Sequence, residues 1–127
     1  MDQQTRATRT VLVIDDLEDN RETYALGLMS FGYKVLTAQN GRAGLTVLDE
    51  ELIHAVVTDL WMPGMSGIGV ATSVRANPRL KHLPVVLVTA TPLQEFSDVL
   101  VFDQYLQKPC GLDEIVEVVD RVCFPSL

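Results

Sequence analysis

Basic residues are scarce in this chain: 10 lysines and arginines stand against 17 aspartates and glutamates, a net charge of −7 over 127 residues. That balance repels phosphate backbones, so it argues against direct nucleic-acid binding and points to proteins or cations as partners. Cysteine is nearly absent as well. Cys110 and Cys123 are too few and too far apart for metal-ligand spacing or a disulfide framework, and both read as ordinary thiols near the last helix. Long apolar runs are missing: no stretch nears the roughly 18 residues of a membrane-spanning helix. The polar opening Met1-Asp-Gln-Gln-Thr-Arg-Ala-Thr-Arg9 has no signal-peptide core behind it. A cytoplasmic setting without membrane contact is therefore expected. Repeats, low-complexity tracts and Ser/Gly linkers are lacking too.

What is present is a 47% hydrophobic content, enough for one core in one domain. The expected layout is a flexible tail over residues 1–9, a domain over 10–123 and a short tail over 124–127. The chain is organised around His54-Ala-Val-Val-Thr-Asp59-Leu-Trp-Met-Pro-Gly64. An apolar run leads straight into Asp59 and then a Pro-Gly turn, the pattern of a buried strand that leaves the sheet just after the acid. Three other runs also end in polar residues: Val11-Leu-Val-Ile14 before Asp15-Asp16, Val85-Val-Leu-Val88 before Thr89, and Gln104-Tyr-Leu-Gln107 before Lys108-Pro109. With Tyr33 to Thr37 they make five strands.

Helical spacing fills the intervals. It predicts helices over 17–31, with Tyr24, Ala25, Leu28, Met29 and Phe31 inward; over about 41–51, with Ala43, Val47 and Leu48 inward; over 68–76; weakly over 93–100; and after Gly111, with Leu112, Ile115, Val116, Val119 and Val122 inward. Five alternations of strand and helix predict an α/β fold, a doubly wound parallel sheet with helices on both faces. In such sheets ligands bind beyond the carboxyl ends of the strands. Asp15, Asp16, Asp59, Thr89 and Lys108 all fall there.

Three crowded carboxylates repel one another unless a cation neutralises them. A hard divalent ion is the natural choice, and Mg2+ suits a site that must also hold phosphate oxygens. Adding the Lys108 ammonium and the Thr89 hydroxyl gives the parts for phosphoryl transfer to Asp59. His54 and His82 have no partner at ligand or triad spacing and read as structural.

The pattern resembles the receiver domains of two-component response regulators, from about Thr10 to Val122. It is carried by Asp15-Asp16 after strand one, by Asp59 followed by Met62 to Gly67 after strand three, by Thr89-Ala90 after strand four and by Lys108-Pro109 after strand five. The resemblance implies a flavodoxin-like five-stranded sheet of order 2-1-3-4-5 with five helices. It implies that a histidine kinase or phosphotransfer protein phosphorylates Asp59, that Asp16, Asp59 and the backbone carbonyl of Trp61 hold Mg2+, and that Asp15 acts mostly through water. Thr89 and Tyr105 match the switch pair, which would alter binding of a downstream protein partner. Val99, Val101 and Phe102 are the expected contact residues, and a homodimer through the fourth helix, fifth strand and fifth helix is a further partner to consider.

Two departures stand out. The interval from Thr89 to Lys108 is about one helical turn short of the family's usual length, which predicts a shortened fourth helix. Trp61 and Thr91 occupy positions that influence phosphoryl lifetime in similar receivers, and a bulky indole there would shield the pocket from water.

Rival functions fit less well. A phosphatase of the haloacid-dehalogenase type needs a second Asp two residues after the nucleophile, and Trp61 stands there. A module regulated without phosphorylation would have lost pocket residues, and none is lost. A stand-alone regulator is expected, with the receiver segment of a hybrid kinase or larger regulator as the alternative.

Overall fold

The computed structural model describes residues 1–92 and 101–126. Its strands are β1 (Thr10–Ile14), β2 (Lys34–Ala38), β3 (Ala55–Thr58), β4 (Val85–Thr89) and β5 (Gln104–Gln107). They form one parallel sheet in the order β2-β1-β3-β4-β5. Five helices lie among the described residues: α1 (Gln3–Arg6), α2 (Glu18–Ser30), α3 (Gly41–Glu50), α4 (Gly67–Ala76) and α5 (Leu112–Cys123). The flavodoxin-like sheet and its order are as expected. The helix expected over 93–100, and with it the question of its shortening, lies outside the described residues.

Alternation along β1 sorts the core into two layers, because successive strand side chains point to opposite faces. Leu12 and Ile14 pack with Leu48, Val56, Leu60, Val70, Val74 and Leu87 under α3 and α4. Val11 and Val13 pack with Leu28, Val57, Val86, Val88, Ile115 and Val119 under α2 and α5. Both faces are covered, so β1, β3 and β4 read as unbroken apolar runs. Each such side chain taken fully out of water contributes about 1.5–3 kcal/mol. The layers make the sheet rigid, and that rigidity fixes where its carboxyl edge presents side chains.

Local signals set the helix ends. Asn40 and Ser66 cap α3 and α4 by accepting from the N–H groups of Ala43 and Gly69. Gly32, with φ +114°, reverses the chain after α2 as a residue with a Cβ rarely does.

Four expectations give way. Residues 1–9, expected as a flexible tail, carry α1, and Arg6 is only 9% exposed. Its guanidinium makes two hydrogen bonds to Asp120, at 2.9 and 2.8 Å, and lies 5.5 Å from the Phe31 ring centroid. Phe31 and Met29, expected inward, are exposed; α2 stops at Ser30, which puts Phe31 at its C-cap. Phe102, expected as a contact residue, is 7% exposed and belongs to the core. Phe124, assigned to the C-terminal tail, packs on the α2/α5 layer with Arg9 stacked 4.6 Å above its ring.

Candidate functional site

The parallel register brings the ends of β1, β3, β4 and β5 to one edge. There Asp15, Asp16 and Asp59 each offer a carboxylate oxygen, all within 4.8 Å of one another. Asp15 divides its roles: Oδ1 accepts from the Leu17 N–H at 3.0 Å and shapes the turn into α2, while Oδ2 is buried with no hydrogen-bond partner. Asp15 therefore does not cap α2, whose N-cap is Leu17 with no side-chain cap; one oxygen shapes the turn and the other faces the acidic site. Arg21 reaches back from α2 to the Asp15 carbonyl at 2.9 Å and holds the same turn.

Asp59 is held by its own backbone neighbour, its Oδ1 accepting from the Leu60 N–H at 2.7 Å. Gly67 lies against the Asp59 carbonyl so closely that any Cβ would collide with backbone. Its N–H also donates to the Leu60 carbonyl at 2.8 Å. The Met-Pro-Gly-Met-Ser-Gly stretch therefore folds the loop back onto the acid, which explains why a glycine is needed eight residues after Asp59.

Lys108, just past β5, points its Nζ between the acids, 3.6 Å from Asp15 Oδ2 and 3.6 Å from Asp59 Oδ2. Burial pushes the Asp59 carboxyl above its ordinary value, against the pull of Lys108 and the Leu60 N–H, and Asp15 adds to the rise. Burial alone would lower Lys108, but Asp59, Tyr24 and Asp15 together outweigh it and Lys108 is raised. A carboxylate kept from full comfort by its neighbours is one that gains from a cation. The orphaned Asp15 oxygen and the three converging carboxylates fit a hard divalent ion. The Trp61 carbonyl accepts no hydrogen bond among the described residues.

Thr89 is buried at the end of β4, and its Oγ1 accepts from the Thr91 N–H at 3.2 Å. Thr89 pairs with Gln107 and Leu87 with Tyr105, so Thr89 and Tyr105 lie two positions apart on one face of neighbouring strands. Tyr105 is 36% exposed. Trp61 is 65% exposed rather than folded into the pocket, and its indole N–H donates to Thr91 Oγ1 at 2.7 Å, tying the β3 and β4 loops together.

Comparison with known proteins agrees with this geometry. Residues 11–120 match the response regulator receiver domain. The chain belongs to that family. A 14.6 kDa protein of Leptolyngbya boryana is 32% identical over 123 residues, 94% of each chain. Response regulator PleD of Caulobacter vibrioides is 36% identical over 80 residues, yet the match spans only 18% of PleD. Among solved structures, response regulator TrrA of Thermotoga maritima, in complex with Mg2+-BeF, has a TM-score of 0.82 and 30% identity, covering 90% of this chain and 98% of TrrA.

Asp15, Asp16, Asp59, Thr89 and Lys108 lie at the one edge expected of them, while two contacts there were not expected. Tyr24 of α2 turns its ring toward Lys108, with Nζ 5.8 Å from the ring centroid. Its place one helical turn after Asn20, on the face leading away from Asp16, is the only signal that could have suggested it. Arg21 on the Asp15 carbonyl had no signal beyond proximity in sequence.

Proposed function

We propose that this receiver accepts a phosphoryl group on Asp59 from a histidine kinase or a phosphotransfer protein in the cytoplasm. The observation that carries the proposal is the placement of the Asp59 carboxylate: one oxygen is anchored to the Leu60 N–H and the other faces Lys108 and Asp15 in an open crevice. Asp16, Asp59 and the Trp61 carbonyl are the ligands we assign to Mg2+, with Asp15 acting through water. The ion supplies charge neutralisation to the phosphoryl oxygens.

In the transfer, a carboxylate oxygen of Asp59 attacks phosphorus. The P–N bond to the donor histidine breaks as the new P–O bond forms, and the imidazole leaves with the electron pair. Lys108 holds the developing negative charge on one side, and Thr89 donates its hydroxyl to a phosphoryl oxygen on another. No group of this chain need be consumed apart from Asp59. The domain is a signalling acceptor that assists its own phosphorylation rather than an enzyme acting on a separate substrate.

Readout follows from Thr89 and Tyr105. A dianion at Asp59 rewards inward movement of the Thr89 hydroxyl, which gives up the Thr91 N–H and frees space for the Tyr105 ring to turn from solvent. That shifts an existing two-state balance and alters the face of β5 and α5 offered to a downstream protein, or to a second copy of the chain. The match to the Leptolyngbya protein over nearly its whole length favours a stand-alone regulator. The partial match to PleD supports the second reading, a receiver segment of a larger regulator.

Acetyl phosphate with Mg2+ tests the proposal directly. Intact mass should rise by one phosphoryl group in the wild type and not at all in Asp59→Ala. Labelling of Asp59→Ala at the wild-type level would overturn the assignment.

A further inference from the structure

Lys108 sits between two carboxylates without a hydrogen bond to either, because both separations, 3.6 Å, lie beyond hydrogen-bonding reach. A lysine stem is flexible, and an ammonium shared between two acids is free to swing toward one of them or out to water. Something else must restrict it. The Tyr24 ring faces Nζ at 5.8 Å from its centroid, within the range where an ammonium is attracted by an aromatic face.

The hydroxyl of Tyr24 has no hydrogen-bond partner among the described residues. Tyr24 and Lys108 share a cavity of about 400 Å³ with Asn20, Ala90, Pro109 and Cys110. The ring, not the hydroxyl, is therefore what meets Lys108. Tyr24 belongs to α2, whose first turn follows the Asp15-Asp16 loop directly, so the helix that orders the acids also carries this wall. We infer that Tyr24 is a positioning residue for Lys108, holding its ammonium over the gap between Asp15 and Asp59. The consequence for chemistry rests on the phosphoacceptor reading above: a Lys108 held in place meets the phosphoryl charge without first being reoriented.

Three variants test it: Tyr24→Phe, which keeps the ring, Tyr24→Leu, which keeps apolar bulk, and Tyr24→Leu combined with Lys108→Ala. The first readout needs no metal. The Lys108 ε-methylene resonances, followed by NMR, should be shifted upfield by the ring in the wild type and in Tyr24→Phe, and should return toward the free-lysine position in Tyr24→Leu. The second is the rate of labelling by acetyl phosphate with Mg2+. Tyr24→Leu should slow it by about two- to fivefold, the size of a partly exposed cation–aromatic contact, and Tyr24→Phe should restore it. In the Lys108→Ala background the Leu substitution should cost nothing further.

Equal Lys108 shifts in the wild type and Tyr24→Leu would overturn the inference, as would an undiminished Leu penalty without Lys108. If the wild type itself takes up no phosphoryl group, the phosphoacceptor reading fails, and the resonance shifts still decide the Tyr24 contact.

Discussion

Lys108 Nζ stands 3.6 Å from Asp15 Oδ2 and 3.6 Å from Asp59 Oδ2, one ammonium between two carboxylates that come from different strands. With Asp16 beside them, three negative charges meet a single positive one. The protein's own cation leaves the three carboxylates under-neutralised.

Asp59→Asn should stabilise the metal-free protein by about 1 kcal/mol at neutral pH, since it removes a carboxylate whose ionised form burial and Asp15 disfavour. Urea unfolding in the presence of a chelator measures this. Adding Mg2+ should raise the midpoint of the wild type and narrow the difference. A lower midpoint for Asp59→Asn in chelator would contradict the electrostatic account.

Lys108→Ala should still be labelled by acetyl phosphate, though more slowly, because the nucleophile and the remaining acids stay in place. Its larger defect should be in signalling: without the ammonium, the phosphoryl group lacks its anchor on the β5 side. Comparing labelling with partner binding on the same sample separates the two. Normal partner switching in this variant would show that Lys108 serves only structure.

Mg2+ affinity should fall at least about tenfold in Asp16→Asn, because one unit charge a few ångströms from a divalent ion is worth more than 1 kcal/mol. Trp61 lies on the loop that would supply the ligand carbonyl, and its fluorescence reports the titration. Unchanged affinity would remove Asp16 from the ligand set.

Thr89→Ala should accept phosphate at Asp59 yet lose most of the change in partner affinity. At the usual coupling of roughly 1–3 kcal/mol, that change is about 5- to 150-fold in the wild type. Tyr105→Ala should weaken it less completely, since the ring follows the hydroxyl. Binding is measured with and without phosphorylation in each variant, and full coupling in Thr89→Ala would refute the switch.

Far from the crevice, the Arg6–Asp120 pair should matter for stability. Burial alone would raise the Asp120 carboxyl, but hydrogen bonds from Arg6 and Tyr33 outweigh it and hold its pKa below the ordinary value. A carboxyl lowered on folding adds stability that is fully present above its unfolded pKa, near 3.9, and lost as pH falls through the lowered folded value. Arg6→Ala should therefore cost about 1–3 kcal/mol at neutral pH, and the gap to wild type should shrink in acid below about pH 4. Denaturant midpoints across pH check both the size and the sign.

Much of this protein was legible locally. Apolar runs such as Val85 to Val88 end in polar residues because a buried strand must release its chain to water at the edge, and that rule alone located Asp15, Asp59, Thr89 and Lys108. Asn40 and Gly32 marked helix ends because capping and left-handed turns are chemistry of one or two residues. The order of the strands came from family resemblance, since periodicity says which face a residue takes but not which strand lies beside it.

Tertiary structure alone decided the rest. Arg6 meets Asp120 across 114 positions and Tyr33 meets the same carboxylate across 87, so no window of sequence contains these contacts. Phe31 had helical spacing but lies just past the last turn, and Phe102 resembled surface until the sheet and helices closed over it. Tyr24 read only as a core residue; packing of α2 over β1 and β2 and beside α5 left its ring facing Lys108. Short-range periodicity is set by backbone geometry and survives in any fold, whereas the partner of a long side chain is chosen by what the folded sheet brings within reach.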